Sequence, residues 1–336
     1  MAGGRLLKYL TYRVVIGLVT LYIIVTITWI LFEAMPGDPT SLFINPQFPP
    51  DVIESLREMF GLDKPWYIRY FRFVKNLFTF HFGYSIYYHQ PVKAMLAPAI
   101  PRTLLLLGTA DILAYFIGYK WGTYIGWKRG KAIESATVVT QLFFYNMPSF
   151  WIGIVMLYVF AFKLNIFPVG GFYDPNDIER LSRFFHIELQ KGFLFFTLDS
   201  LYHLFLPLFT LVLIFMAGPT LLMRTSILEV MGEDYVLTAI AKGIPEKQVL
   251  RRHVARNALL PMVTSIILSM AGAVGGLIIT EAVFSYPGTG RLYYEALIRQ
   301  DFPVAGATLF IIAILTIAGV ILADILYAYL DPRVKL

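Results

Sequence analysis

The sequence predicts an all-α polytopic membrane fold with six transmembrane helices, and three observations carry that prediction. Of 336 residues, 57% are hydrophobic and only 15% are charged, with a mean hydropathy of +0.65. Long apolar runs recur along the chain at 14–32, 103–127, 135–162, 201–223, 258–284 and 304–330. Each is long enough for a helix to cross the hydrocarbon, which takes about 20 residues. A helix also satisfies its own backbone polar groups where water is absent, whereas a soluble domain of this length could not bury so much apolar surface.

The elements follow in order. Arg5, Lys8 and Arg13 precede an apolar run from Val14 to Phe32. That run is too long for a signal-peptide core, and it leads into Met-Pro-Gly-Asp-Pro rather than a small-residue cleavage site, so it reads as a retained first span. The insertion 33–102 carries two further patterns. Val52, Ile53, Leu56 and Phe60 share a helical stripe, and 66–82 is rich in Trp, Tyr and Phe interrupted by Arg69, Arg72 and Lys75. These read either as amphipathic helices on the outer membrane surface or as a small cap packed on the spans. With the N-terminus inside, the inner segments 1–13, 128–134, 224–257 and 331–336 hold 14 Lys and Arg. The outer segments 33–102, 163–200 and 285–303 hold 13 over about twice the length. The bias places both termini in the cytoplasm of a multi-pass cell-membrane protein, with one membrane domain over 1–336. Tyr12, Trp127, Trp151 and Tyr327 fit an interfacial aromatic belt.

Polar residues inside spans are candidate pathway residues, because charge there is costly. Asp111 lies near the middle of the second span. It reads as a pathway residue or as a carboxyl bonded to a Thr or Tyr of the bundle, with Lys120 nearby. Glu281, Phe284, Pro287, Gly288, Gly290 and Arg291 form a turn after the fifth span. They read as the outer mouth or gate, with Glu281 pairing Arg291, or as an ordinary structural turn. Gly272, Gly275 and Gly276 permit close helix approach. Pro207 and the stretch Met216 to Pro219 can kink the fourth span. Asp324 and Asp331-Pro332-Arg333 read as fixing the end of the last helix and its headgroup anchor, or as substrate contacts.

Several function classes are excluded. The formal charge is +6 and the pI about 9.2, but the cations sit between spans, so nucleic acid is not a partner. There is no Cys, HExxH or GxSxG, and His81, His89, His186, His203 and His253 lack ligand spacing. No catalytic residue, metal or resident cofactor is therefore expected. Without GxxxxGK[ST] the chain does not hydrolyse ATP itself. An ion-coupled carrier would require inverted repeats and several midplane carboxylates, and only Asp111 is central.

The most informative segment is 232–261, GEDYVLTAIAKGIPEKQVLRRHVARNALLP. Asp234 or Glu233 starts a short helix with Tyr235, Ala239 and Lys242 along one side. Gly243 ends it as a C′ glycine of positive φ. Pro245 suits the first turn of a second helix through Leu250, Val254 and Ala258. Small residues Ala239, Ala241 and Gly243 would allow another protein to approach, with apolar anchors and a basic rim including Arg252 and His253. A hairpin that merely caps the bundle is the alternative.

This segment resembles the coupling loop of ABC-importer permeases, in the form typical of the dipeptide/oligopeptide/nickel branch. Ala239 and Gly243 match the motif's Ala and Gly, and Leu237 replaces its Glu. MPGDP, GLDKPWYIRYFRFVKNLFTFHFGYS, IPRTLLL, NMPSFWIGI, TEAVFSYPGTGRLYYEALIRQDFPV and DILYAYLDPRVKL are similar to the B-type subunit of that branch, in family order. The resemblance implies a type I importer permease fold and a translocation path shared with a homologous C-type permease. It implies ATP-binding subunits that bind ATP and Mg and dock on the loop around Asp234, Tyr235, Ala239, Ala241, Lys242, Gly243, Glu246, Arg252 and His253. It also implies an extracytoplasmic substrate-binding protein. Peptides are the expected cargo, with oligosaccharides or nickel as alternatives in the same branch.

Overall fold

The computed structural model describes residues 2–34, 64–185, 191–273 and 278–330. The MPGDP stretch, 51–60, His186, Gly275, Gly276 and Asp331-Pro332-Arg333 lie outside the described residues. In chain order the helices are α1 (Ala2–Ala34), α2 (Trp66–Phe78), α3 (Val92–Trp127), α4 (Ala132–Asn146) and α5 (Ser149–Met156), which runs on as a π-helical segment, Leu157–Lys163. Next come α6 (Ile178–Phe185), α7 (Phe193–Phe215), α8 (Ala217–Met231), α9 (Asp234–Ala241) and α10 (Glu246–Gln248). A second π segment, Val249–Val254, then leads to α11 (Ala255–Ala258), α12 (Leu260–Ala273), α13 (Ile278–Val283), α14 (Thr289–Ile298) and α15 (Phe302–Leu330).

Among the described residues four helices are long and apolar enough to cross a membrane: Thr11–Ala34, Val92–Trp127, Phe193–Met231 and Phe302–Ile325. A bent pair, Ala132–Asn146 with Ser149–Lys163, makes up to five, and Leu260–Met270 is a shorter apolar helix. These occur in the order of the six apolar runs and are consistent with six spans. The third run differs from its expected straight helix: it folds back by 98°. Pro148 explains the break, since the residue before a proline is pushed out of the α region; Met147 sits at ψ 137°. The second and fourth helices begin earlier than hydropathy indicates, at Val92 and Phe193, because packing as well as lipid holds their ends: Val92, Leu96 and Phe195 are buried. The fourth run is one span of two helices meeting at Met216, with Pro207 inside α7.

Two compact units emerge. The first comprises 1–99 and 292–317. Here α2 packs on α1: the Thr26 and Tyr70 hydroxyls are 2.7 Å apart, Tyr70 Oη donates to Tyr22 Oη at 2.8 Å, and Arg69 pairs with Glu33. Trp66, Tyr67 and Phe71 stay exposed. Within its own unit, 66–78 is thus a helix laid on the first span with an aromatic outer side. Phe310 gathers Phe78, Phe80 and Phe82 edge-on. The buried carboxylate of Asp301 accepts from the Ser85 hydroxyl and from the Ile86 and Tyr87 N–H groups, fixing the turn between α2 and α3. Burial and the neighbouring Glu295 carboxylate, to which it donates, raise the Tyr88 phenol above its ordinary value.

The second unit comprises 100–291 and 318–335. Its α3 and α8 meet along glycines spaced four apart. A Cβ on Gly118 would lie 2.6 Å from Pro219 Cβ, on Gly122 2.5 Å from the Thr220 carbonyl, and on Gly126 2.9 Å from Ile227 Cβ. Only glycine permits this backbone approach, the device that membrane helices use where no hydrophobic effect drives them together. At one end of this seam Glu134 accepts from Arg224 Nε at 2.8 Å and from the Gly130 N–H at 2.6 Å. Leu106, Leu204, Leu211, Phe284 and Tyr286 belong to one core cluster; Met223, Ile227, Val236, Val249 and Val254 belong to another.

Candidate functional site

Three places in the second unit collect the polar chemistry. The first is the helical elbow between α8 and α12. Helix α9 begins after Glu233, with Asp234 in its first turn, where a negative charge suits the helix dipole. Gly243 stops it at φ +72°, donating its N–H to the Ile240 carbonyl at 2.9 Å. Pro245 caps the second arm, which widens into the π segment before α11. Val236, Ala239, Val249, Val254 and Ala258 anchor the elbow in the core.

The anchoring corrects the sequence reading of the first arm. Ala239 does not share an outward side with Tyr235 and Lys242; it is 4% exposed and faces this chain's own core with Val236. Its small size serves the packing of α9 on the spans. Tyr235, Leu237, Ile240, Ala241 and Lys242 face outward. On the second arm Glu246, Lys247, Arg251, Arg252 and Arg256 are exposed and His253 is half-buried. Glu246 accepts from Trp127 Nε1, and Asn257 donates to Tyr235 Oη at 2.8 Å, so both arms are held before any partner arrives. What remains outward is an apolar patch (Leu237, Ile240) beside a cationic one.

The second place is the turn after α13. Glu281 is fully buried. Its Oε1 accepts from Thr103 Oγ1 at 2.7 Å and its Oε2 from the Arg291 N–H at 3.0 Å. Thr103 Oγ1 in turn accepts from Thr289 N at 2.7 Å, and Tyr286 Oη donates to the Arg102 carbonyl at 2.9 Å. The expected meeting of Glu281 with Arg291 thus runs through the arginine's backbone; its guanidinium donates to the Ser285 carbonyl. Phe284, Gly288 and Gly290 are buried and Pro287 half-buried, so in this chain the turn is a closed knot. Asp111, the central carboxyl of α3, accepts from Ser269 Oγ at 2.6 Å, while the Tyr115 and Ser265 hydroxyls meet one turn away at 2.6 Å. Its partner is a serine of α12, neither Thr nor Tyr, and Lys120 lies over the Phe116 ring at 5.5 Å instead.

The third place was not read from sequence. Asp177, Asp199 and His203 bring one ligand atom each to within 4.8 Å of one another. The pair one turn apart on α7 was legible as Asp-x-x-x-His; the addition of Asp177 depends on the path of 165–177 across α7.

The chain was compared with known proteins. Residues 114–336 match the family described as binding-protein-dependent transport system inner membrane component, and residues 6–107 match its N-terminal counterpart. The oligopeptide transport system permease protein AppB of Bacillus subtilis is 33% identical over 97% of this chain and 99% of its own length. The dipeptide transport system permease protein DppB of Lactococcus lactis is 33% identical over 98% of this chain and 100% of its own. The di/tripeptide transport system permease protein DppB of Pseudomonas aeruginosa is 31% identical over 98% and 99%. With an all-helical chain, several apolar spans, a held elbow and end-to-end similarity to these proteins, the chain belongs to the binding-protein-dependent transport system inner membrane component family.

Proposed function

We propose that this chain is a permease subunit of an ATP-driven importer of dipeptides or oligopeptides, sharing its translocation path with a homologous C-type permease. The peptide cargo follows the names of its full-length relatives. ATP and Mg are bound by separate ATP-binding subunits. An extracytoplasmic substrate-binding protein sits on 33–102 and 285–303, and both termini are cytoplasmic.

The observation that supports this reading is the elbow. Its core side is locked, yet Leu237 and Ile240 are more than half exposed next to Lys242, Arg251 and Arg252. Apolar anchors inside a charged rim suit a helix seated in a partner's groove. Asp234, Tyr235, Ala241, Gly243, Glu246 and His253 shape or border that surface; Ala239 supports it from beneath. Closure of the nucleotide-binding dimer would move the elbow, and with it α8 and α12.

The test is Leu237→Asp combined with Arg252→Glu, both outward, in the chain expressed with its ATP-binding subunits. ATP-driven dipeptide uptake into vesicles should fall about tenfold or more, and the subunits should no longer co-purify. Thermal unfolding of the chain should not change. Full coupling in that variant would overturn the assignment. Ala239→Asp is not a clean probe, because it places a charge in the core.

A further inference from the structure

We propose that Asp177, Asp199 and His203 form a binding site for a divalent transition-metal cation of the zinc type, which clamps the segment 170–177 onto α7.

The argument starts from the imidazole. His203 Nδ1 lies 2.9 Å from the Gly170 carbonyl, which can only accept, so Nδ1 carries the proton. The other nitrogen, Nε2, is buried and has no hydrogen-bond partner. It lies 3.4 Å from Asp177 Oδ2 and 3.6 Å from Asp199 Oδ2. In the neutral ring Nε2 is a lone pair. A lone pair aimed at two carboxylates is repulsive unless a cation stands among them.

Among the described residues, nothing supplies that cation. Asp199 is wholly buried; its Oδ2 accepts the Asp174 N–H at 2.7 Å, while its Oδ1 is buried without a partner. Arg180, three residues beyond Asp177, is committed to Asn165 and to the Phe167 carbonyl. A protonated imidazole would offset only one of two negative charges, and unmatched buried charge is expensive. A divalent cation offsets both.

The spacing fits a small cation. Nitrogen and oxygen ligands at about 2.0–2.2 Å from a tetrahedral centre stand about 3.3–3.6 Å apart; the two separations from His203 fall in that range, and the two carboxylates lie within 4.8 Å of each other. A metal-binding histidine typically donates its remote N–H to a backbone carbonyl, as His203 does to Gly170. One imidazole and two carboxylates favour Zn²⁺ or a neighbouring transition ion over Ca²⁺, which prefers six to eight oxygens. Three protein ligands leave a position for water.

The test uses the full chain in nanodiscs, stripped with EDTA and titrated with Co²⁺. A single equivalent should produce the visible d–d absorption of a four-coordinate nitrogen/oxygen site, and Zn²⁺ should bleach it. Zn²⁺ should also raise the unfolding temperature of the stripped chain, since a ligand of the folded state stabilises it. His203→Gln should abolish the absorption. Asp177→Asn, at the partly exposed ligand, should keep the fold by circular dichroism and weaken Co²⁺ by at least the 10–100-fold typical of losing even an outer hydrogen-bond partner of a metal ligand. Failure of Co²⁺ and Zn²⁺ to bind, or binding equally strong in Asp177→Asn, would overturn the site and leave an imidazolium–carboxylate pair. Neither result touches the coupling of the elbow to an ATPase.

Discussion

Glu281 and Asp199 are both buried carboxylates of the second compact unit, yet their oxygens meet different company. Each oxygen of Glu281 accepts from a donor, one from the Thr103 hydroxyl and one from the Arg291 N–H. Thr103 completes the set by accepting from Thr289 while donating to Glu281, which uses its hydroxyl both ways. Asp199 has a donor for one oxygen only, and a second carboxylate and an imidazole nitrogen face it. The first arrangement is complete within the chain and acts as architecture. Among the described residues the second is left incomplete, which is what the proposed cation would remedy.

Three substitutions break or sharpen this contrast. The largest effect should come from Gly288→Val. A Cβ there would stand 2.4 Å from Thr103 Oγ1 and 2.5 Å from the Glu281 carboxyl. Overpacking of this kind in a rigid turn costs about 3 kcal/mol, read as a drop in unfolding temperature of the chain in detergent. Thr103→Val keeps the shape but leaves Glu281 Oε1 without its donor and Thr289 N without its acceptor. A loss of about 2 kcal/mol is expected from stranding buried polar groups; an unchanged unfolding temperature would mean that the knot is not what holds the turn. The smallest effect should come from Asp199→Asn measured in EDTA. It removes one of two facing charges while an amide oxygen can still accept from Asp174, so stability should change by less than about 1 kcal/mol. With Zn²⁺ present the same variant should lack the rise in unfolding temperature that the unsubstituted chain shows. A large loss in EDTA would place Asp199 with Glu281, as architecture.

Much of this was legible in the sequence where one-dimensional signals suffice. Apolar runs marked the four long apolar helices and the bent pair, and the glycine-proline punctuation at Gly243 and Pro245 located the elbow with its positive φ. The bend at Met147-Pro148 was marked by a proline, but hydropathy averaged across it. The face of α9 was read about one residue out of phase, because eight residues give a weak period and Ala239 reads equally well as core or as contact. The Gly118, Gly122 and Gly126 series carries a small-residue signal at helical spacing as clear as that of Gly272, Gly275 and Gly276. Two constellations depended on tertiary path alone. Glu134 reaches Arg224 across 90 residues, and Asp177 joins α7 from a loop; no spacing rule encodes either.

The glycine seam has a mechanical corollary. Helix α8 leads directly into the elbow, and α3 rests closely on it at three glycines spaced four apart. Side chains at an ordinary interface can re-pack and absorb a shove, but a ridge seated this deeply has nothing soft to compress. A displacement of α8 would therefore be felt by α3 at Gly118, Gly122 and Gly126 with little side-chain give between them.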